Sequence, residues 1–229
     1  RSSDRGASDA AMNLICAAMF IAKTNYKGVA VCMHNSSSDD SCAIMPATKV
    51  RKLHTSRRDA FKTINDTPIA LVDYSTGKIE WAKDPEKLEQ PKGKFRLLNG
   101  FSEKVGLLKM HPFVSEKEID FYRKNKYKGL IIEATGLGHT PVRKNDSFVR
   151  AIKKLVDSGC IVGITSQCLY GRVNPMVYTN LRKVAATGAI YCDEMLPETA
   201  VMKLAWLLGY YSQKEAKEML AKNLRGEIS

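Results

Sequence analysis

The six cysteines of this chain form no Cys-x-x-Cys pair, which argues against a zinc ribbon and a dithiol redox motif. Cys32, Cys160 and Cys192 fall inside or beside expected buried strands, as free thiols in a reducing cytoplasm would, so neither a disulfide framework nor a metal site is expected. No run approaches 18 apolar residues; the nearest, residues 11–22, is interrupted by Asn13, so no membrane span is expected. A signal-peptide pattern is lacking as well. No Walker-type loop occurs, and Thr135-Gly136-Leu137-Gly138-His139 lacks the spacing of a dinucleotide fingerprint. There is neither an RNP-type aromatic strand nor a zinc-finger spacing. The net charge of +12 is therefore compatible with a solvated lysine-rich surface or with an acidic partner such as RNA. An initiating methionine is also missing: the chain opens Arg1-Ser2-Ser3-Asp4-Arg5 and enters a helix at once, which reads as the middle of a larger protein.

What the chain does have is one phrase written three times between Gly129 and Gly209: glycine, short apolar strand, polar loop, amphipathic helix. The strands are Leu130-Ile131-Ile132-Glu133-Ala134, Cys160-Ile161-Val162-Gly163-Ile164 and Ala189-Ile190-Tyr191-Cys192. The opening glycines, Gly129, Gly159 and Gly188, lie 30 and 29 residues apart, the size of a βαβ unit. Each glycine is expected to end the preceding helix in the left-handed conformation. An earlier strand at Lys104–Lys109, then a helix from the Ser115/Glu118 capping box to about Asn125, extends the series. A lysine-rich helix at about 212–224, capped by Ser212 with Glu215, ends it.

The first segment is expected to be α/β too. A helix from the Ser8-Asp9 cap to about Asn25 presents Ala11, Leu14, Ile15, Ala18, Met19 and Ala22, Gly28 closes it, and Val29–Met33 is a buried strand, expected to be parallel. Short strands near 42–45 and 48–51 suggest a hairpin around Pro46, residues 57–61 a short helical piece, and residues 69–73 and 78–82 a second hairpin. Residues 1–83 thus form one α/β part, 84–103 (with Pro85, Pro91 and Gly93) a connection, and 104–229 a parallel-sheet α/β domain.

In a parallel sheet the loops after the strands gather at one edge, where α/β proteins bind ligands. That directs attention to Thr135, His139 and Glu194. His139 can hydrogen-bond a ligand or cap a turn, and Gly171-Arg172 can pair with a ligand carboxylate or form a structural ion pair. In the first segment Lys52, before His54-Thr55-Ser56, can act as a general base if desolvated, or stabilise developing charge.

Resemblance singles Lys52 out from the other basic residues. Thr165-Ser166-Gln167-Cys168-Leu169-Tyr170-Gly171-Arg172-Val173, Asp193-Glu194-Met195-Leu196-Pro197-Glu198-Thr199-Ala200 and the helix through Lys203–Gly209 resemble the C-terminal domain of bacterial-type L-asparaginases. The opening Arg1–Arg5, the stretch Val50–Phe61 and Thr135–His139 are most similar to the D-type subunits of archaeal glutamyl-tRNA(Gln) amidotransferases within that family. The resemblance implies an asparaginase-like fold, with a partial N-terminal catalytic domain over 1–83 and a smaller C-terminal α/β domain. It implies cytoplasmic hydrolysis of a glutamine or asparagine amide by a threonine nucleophile, with Lys52 at the family lysine. Ammonia would pass to a kinase/transamidase partner subunit, which would use ATP and magnesium to amidate Glu-tRNA(Gln); this subunit would hold no cofactor or metal. A homodimer is implied, with Thr135, His139 and Glu194 contributing to substrate binding, in a neighbour's site if the sites are shared. The family's two threonine motifs do not occur here; both would precede Arg1, so the chain as written is expected to lack activity of its own. A plain cytosolic L-asparaginase and a non-catalytic partner- or RNA-binding fragment are the alternatives.

Overall fold

The structure, a computed structural model, describes residues 1–88, 94, 96–141 and 144–229. It divides into two compact units, Arg1–Phe95 and Arg96–Ser229. Residues 89–93 and 95 of the expected connection lie outside the described residues.

The first unit comprises α1 (Ala10–Lys23), β1 (Ala30–His34), β2 (Ser41–Pro46), β3 (Val50–Lys52), β4 (Phe61–Thr63), β5 (Ala70–Asp73) and β6 (Ile79–Trp81). Its main sheet runs β1-β2-β5-β6, and every pairing in it among the described residues is antiparallel. The parallel strand expected at 29–33 is thus an antiparallel edge strand here, because the polar turn after it folds back: Asn35 N–H donates to Ser41 O at 3.0 Å and His34 faces Cys42. The expected hairpin around Pro46 does not form. β2 pairs with β1 and β5, β3 turns away to pair with β4, and in place of the expected helical piece residues 57–60 form a turn that leads into β4. The segment before β4 is held by a forked ion pair, Arg57 Nε and Nη2 reaching Asp59 at 2.9 and 2.7 Å. The hairpin of β5 and β6 is as expected.

Helix α1 is apolar on most of its surface, so its periodicity cannot say which face is inward. The structure buries Met12, Cys16 and Phe20 against Cys42, Ile44, Ile69 and Val72, and leaves Leu14, Ile15 and Ile21 exposed. Helix α1 ends at Lys23 with Thr24 as C-cap, so Gly28 plays no part in closing it.

The second unit follows the repeated phrase. It comprises β7 (Val105–Lys109), α2 (Glu116–Lys124), β8 (Gly129–Ala134), α3 (Ser147–Asp157), β9 (Ile161–Ser166), α4 (Thr179–Ala185), β10 (Ile190–Tyr191), α5 (Pro197–Tyr210) and α6 (Gln213–Leu220). The four strands form a single parallel sheet in the order β10-β9-β8-β7. Its two faces carry separate cores. Leu130, Ile132, Val162 and Ile164 pack with Ile119, Phe148, Ile152 and Leu155 of α2 and α3, while Ile131 and Ile161 pack with Leu204, Leu207 and Leu220 of α5 and α6. Burial on both faces explains why β8 is a continuous apolar run rather than an alternating one.

Gly159 and Gly188 are left-handed as expected (φ +91° each), but Gly129 is not; it already belongs to β8, and Lys126 takes the left-handed turn after α2 with φ +54°. Cβ contacts make that conformation unfavourable for an L-residue by roughly 1–2 kcal/mol. Both capping boxes, Ser115/Glu118 and Ser212/Glu215, are present. The chain end folds back: Lys203 and Glu227 form a buried ion pair at 2.6 Å, and Glu227 also accepts the N–H groups of Leu224 (3.0 Å) and Arg225 (2.6 Å).

Candidate functional site

In the second unit the parallel register brings the loops after β7, β8 and β9 to one edge. They surround an open cleft of about 720 Å³ lined by Lys109, Met110, His111, Pro112, Thr135, His139, Thr140, Pro141 and Gln167. The loop after β8 is a closed turn, with His139 N–H donating to Thr135 O at 2.8 Å and Thr135 N–H to His139 O at 3.1 Å. Gly136 (φ +51°) and Gly138 (φ +108°) make it possible, and a Cβ on Gly138 would lie 2.6 Å from the Tyr191 ring. The turn presents Thr135 to solvent and sets the His139 ring 5.3 Å from that of Tyr178, so His139 both belongs to the turn and borders the cleft.

Beneath the cleft, the buried Glu133 carboxylate accepts from Lys109 Nζ at 3.0 Å. Gln167 ties three strand ends together. Its Nε2 donates to Met110 O (2.5 Å) and Glu133 O (3.1 Å), and its own N–H donates to Ala134 O (2.8 Å). Thr140 is 5% exposed, and its Oγ1 has no hydrogen-bond partner among the described residues. A buried hydroxyl left unpaired costs roughly 1–3 kcal/mol, which a water or a polar ligand group in the cleft relieves. The edge therefore offers a cation, two imidazoles, hydroxyls and an amide around one opening, a set suited to a small polar molecule.

Glu194 is elsewhere. It follows β10 and is buried to 5% exposure in an ion pair with Arg172 at 3.1 Å, and it also accepts the N–H of Ser229 at 2.8 Å. Arg172 also approaches Asp193, at 3.5 Å. Glu194 does not line the cleft with Thr135 and His139.

Lys52 lies in the first unit, at the end of β3 opposite Phe61, with Nζ 5.8 Å from the ring centroid. It is exposed, and among the described residues its ammonium has no ion-pair or hydrogen-bond partner. Beside it, His54 Nδ1 accepts the N–H groups of Ser56 and Arg57 at 3.1 Å each. Burial works to raise the Asp59 pKa, but Arg57 and Lys62 hold it below the ordinary carboxylate value. Lys49, three residues before Lys52, is by contrast 3% exposed.

Lys109, His111, Thr140 and Gln167 were not singled out in the sequence. The same rule that pointed to Thr135 and His139, applied to the loop after Lys104–Lys109, would have found the first two. Among the described residues no group of three or more His, Cys, Asp or Glu side chains is placed to hold a metal.

Two family models match the chain: "Asparaginase, N-terminal" over residues 1–87 and "Glutaminase/Asparaginase C-terminal domain" over residues 104–220. Among curated proteins, the D-type subunit of the glutamyl-tRNA(Gln) amidotransferase of Pyrococcus furiosus is 49% identical over 230 residues, covering all of this chain and 51% of that protein. The protein of the same name from Methanococcus maripaludis is 46% identical over all of this chain and 54% of its own length. The chain therefore spans about half the length of the curated relatives it matches. Among solved structures, the thermostable L-asparaginase of Thermococcus kodakarensis superposes with a TM-score of 0.86 at 25% identity, over 99% of this chain and 64% of that one. L-asparaginase I of Vibrio cholerae gives 0.72 at 28% identity, over 82% and 55%.

Proposed function

Because the chain belongs to the glutaminase/asparaginase family, we propose that it is part of an amidohydrolase that releases ammonia from glutamine or asparagine for the tRNA-dependent amidation of Glu-tRNA(Gln). The observation that carries this reading is the identity of 49% to a D-type amidotransferase subunit along the entire chain, against 25% to the superposed asparaginase. That difference favours the amidotransferase over a plain L-asparaginase. In this scheme the ammonia passes to a second, kinase/transamidase subunit, which uses ATP and magnesium and engages the tRNA, while this subunit holds no cofactor. The complex works in the cytoplasm, with this subunit as a homodimer.

The family resemblance gives Lys52 the role of proton acceptor. A threonine hydroxyl is a poor nucleophile until a base in contact takes its proton as it attacks the amide carbon. The tetrahedral oxyanion then collapses as the base returns that proton to the leaving nitrogen, releasing ammonia, and water, giving a proton to the same base, hydrolyses the resulting ester. A lysine at a strand end with no carboxylate holding its ammonium suits the base, because no ion pair has to be broken to bring it against the hydroxyl. Thr135, His139 and Glu194 are assigned to substrate binding. For Thr135 and His139 the cleft supports this. For Glu194 the Arg172 pair supports a role in shaping the neighbouring loop rather than direct contact. The nucleophile is assigned to a segment ahead of the matched stretch.

The test is a chimera joining the upstream residues of the Pyrococcus furiosus relative to Arg1. It should release ammonia from an amide donor, whereas the 229-residue chain alone should not. In the chimera Lys52→Ala should lower the rate roughly 10²–10⁴-fold, the usual contribution of general acid–base assistance. Lys78→Ala, at an exposed position, controls for charge; the buried Lys49 is unsuitable for that purpose. Comparable release by the chain alone, or equal mild effects of Lys52→Ala and Lys78→Ala, would refute the assignment.

A further inference from the structure

The charge of the second unit is unevenly distributed. Residues 96–229 carry 21 Lys and Arg against 13 Asp and Glu. Helices α2 and α3 pack side by side, and between them lies a cleft of about 430 Å³ lined by Glu116, Lys117, Asp120, Arg123, Ser147, Arg150, Ala151 and Lys154. Its two carboxylates are engaged, Glu116 with the Ser147 hydroxyl and Asp120 with Arg123 (2.6 Å) and Lys124 (2.8 Å). Lys117, Arg150 and Lys154 are all exposed, and among the described residues none has an ion-pair partner. Arg150 and Lys154 stand four residues apart on one helix face, where like charges destabilise a helix. The neighbouring pair on α3, Lys153 with Asp157, shows the compensated arrangement that a merely solvated face adopts.

Where α2 ends, the cations continue through Lys124, Lys126 and Lys128, with Tyr127 between the last two. Phe121 is 53% exposed, and its ring packs 5.5 Å from Tyr122 and 6.1 Å from Tyr127. Lys104 Nζ lies 5.4 Å from the Tyr127 centroid. A groove with three unpaired cations beside an exposed aromatic ring is the pattern that holds a phosphate backbone while a base stacks. An anionic membrane would use the cations but has no planar rings to stack on Phe121, and neither has a run of acidic residues.

We propose that the α2–α3 groove is a direct RNA-contact surface, with Lys117, Arg150 and Lys154 on backbone phosphates and Phe121 stacking a base. This extends the tRNA-linked reading above to a physical contact, but it does not depend on amide hydrolysis. Binding is measured without ammonia release, so the failure of either idea leaves the other standing.

The experiment titrates fluorescent, unfractionated tRNA with the full chain at several salt concentrations. Each phosphate contact contributes about 0.7–0.9 to the slope of log affinity against log salt. The triple variant Lys117→Gln, Arg150→Gln, Lys154→Gln should therefore lower the slope by about two to three units and weaken binding at least about tenfold near physiological salt. Phe121→Ala should weaken binding about tenfold and leave the slope unchanged. The control removes the same charge from the α6 side: Lys214→Gln, Lys217→Gln, Lys222→Gln. Equal losses from groove and control variants, or none from the groove variant, would overturn the assignment. So would preferential binding of polyglutamate or phosphatidylserine vesicles over tRNA. Circular dichroism verifies that each variant is folded.

Discussion

Replacing Lys203 by methionine leaves the Glu227 carboxylate without its cation, in surroundings that expose only 3% of its side chain. Breaking one side of a buried ion pair costs about 3–5 kcal/mol, because the remaining charge is uncompensated. The chain could avoid that cost by releasing its tail, but release also removes Ile228 and Leu224 from the core they share with α5 and α6. Exposing each large apolar side chain costs about 1.5–3 kcal/mol, so detachment is no cheaper than retention. Either route predicts that Lys203→Met destabilises the second unit by about 3–5 kcal/mol. The chain has two tryptophans, Trp81 in the first unit and Trp206 in the second; in a Trp81→Phe background, urea unfolding followed at Trp206 reports the second unit alone. The midpoint should fall with an unchanged slope. Adding Glu227→Gln to Lys203→Met should recover most of the loss, since the buried charge is then gone. A loss under about 1 kcal/mol, or a double variant as unstable as the single, would contradict the reasoning.

Two further outcomes concern the same unit. Burial acts to raise the Glu227 pKa, yet Lys203 and backbone N–H groups hold it below its ordinary 4.5. A folded-state pKa below the unfolded one adds stability that is present above pH 4.5 and lost as pH falls through the folded value. The deficit of Glu227→Gln relative to the parent, measured by urea unfolding across pH, should therefore shrink in acid; a constant gap would show that the ionised form is not what stabilises the tail. Gly163→Ala would place a Cβ 2.6 Å from Ile131 Cδ1, 3.1 Å from Cys192 Sγ and 3.2 Å from Leu220 Cδ2, between sheet and helix. Overpacking of this kind costs about 1–3 kcal/mol, so the thermal midpoint should fall by several degrees, and an unchanged midpoint would mean that α6 yields freely.

The second unit was legible because its signals agree. Glycines, continuous apolar strands and capping boxes all recur in one order, and strands buried on both faces cannot be confused with alternating ones. The first unit was harder. Helix α1 is apolar nearly all round, so composition could not choose between the Leu14 face and the Met12–Cys16–Phe20 face. At Pro46 local sequence suggested a turn, but the strand runs to Pro46 because β1 pairs along it, Ala30 facing Pro46. In the site, strand-end position was enough to direct attention to Thr135 and His139. The Arg172–Glu194 pair joins two loops 22 residues apart, which is beyond the reach of a local pattern. Nothing in the chemistry around Lys52 distinguishes it from its neighbours; only resemblance did.

The three bonds of Gln167 have a mechanical consequence. A side chain that grips Met110 and Glu133, while its own backbone is bound to Ala134, acts as a rivet through three adjoining plates. Met110 after β7, the end of β8 and Gln167 after β9 cannot then move separately; displacing one drags the others or breaks bonds at this edge. The floor of this opening is therefore stiffer than its rim, where the side chains of Lys109 and His111 are exposed.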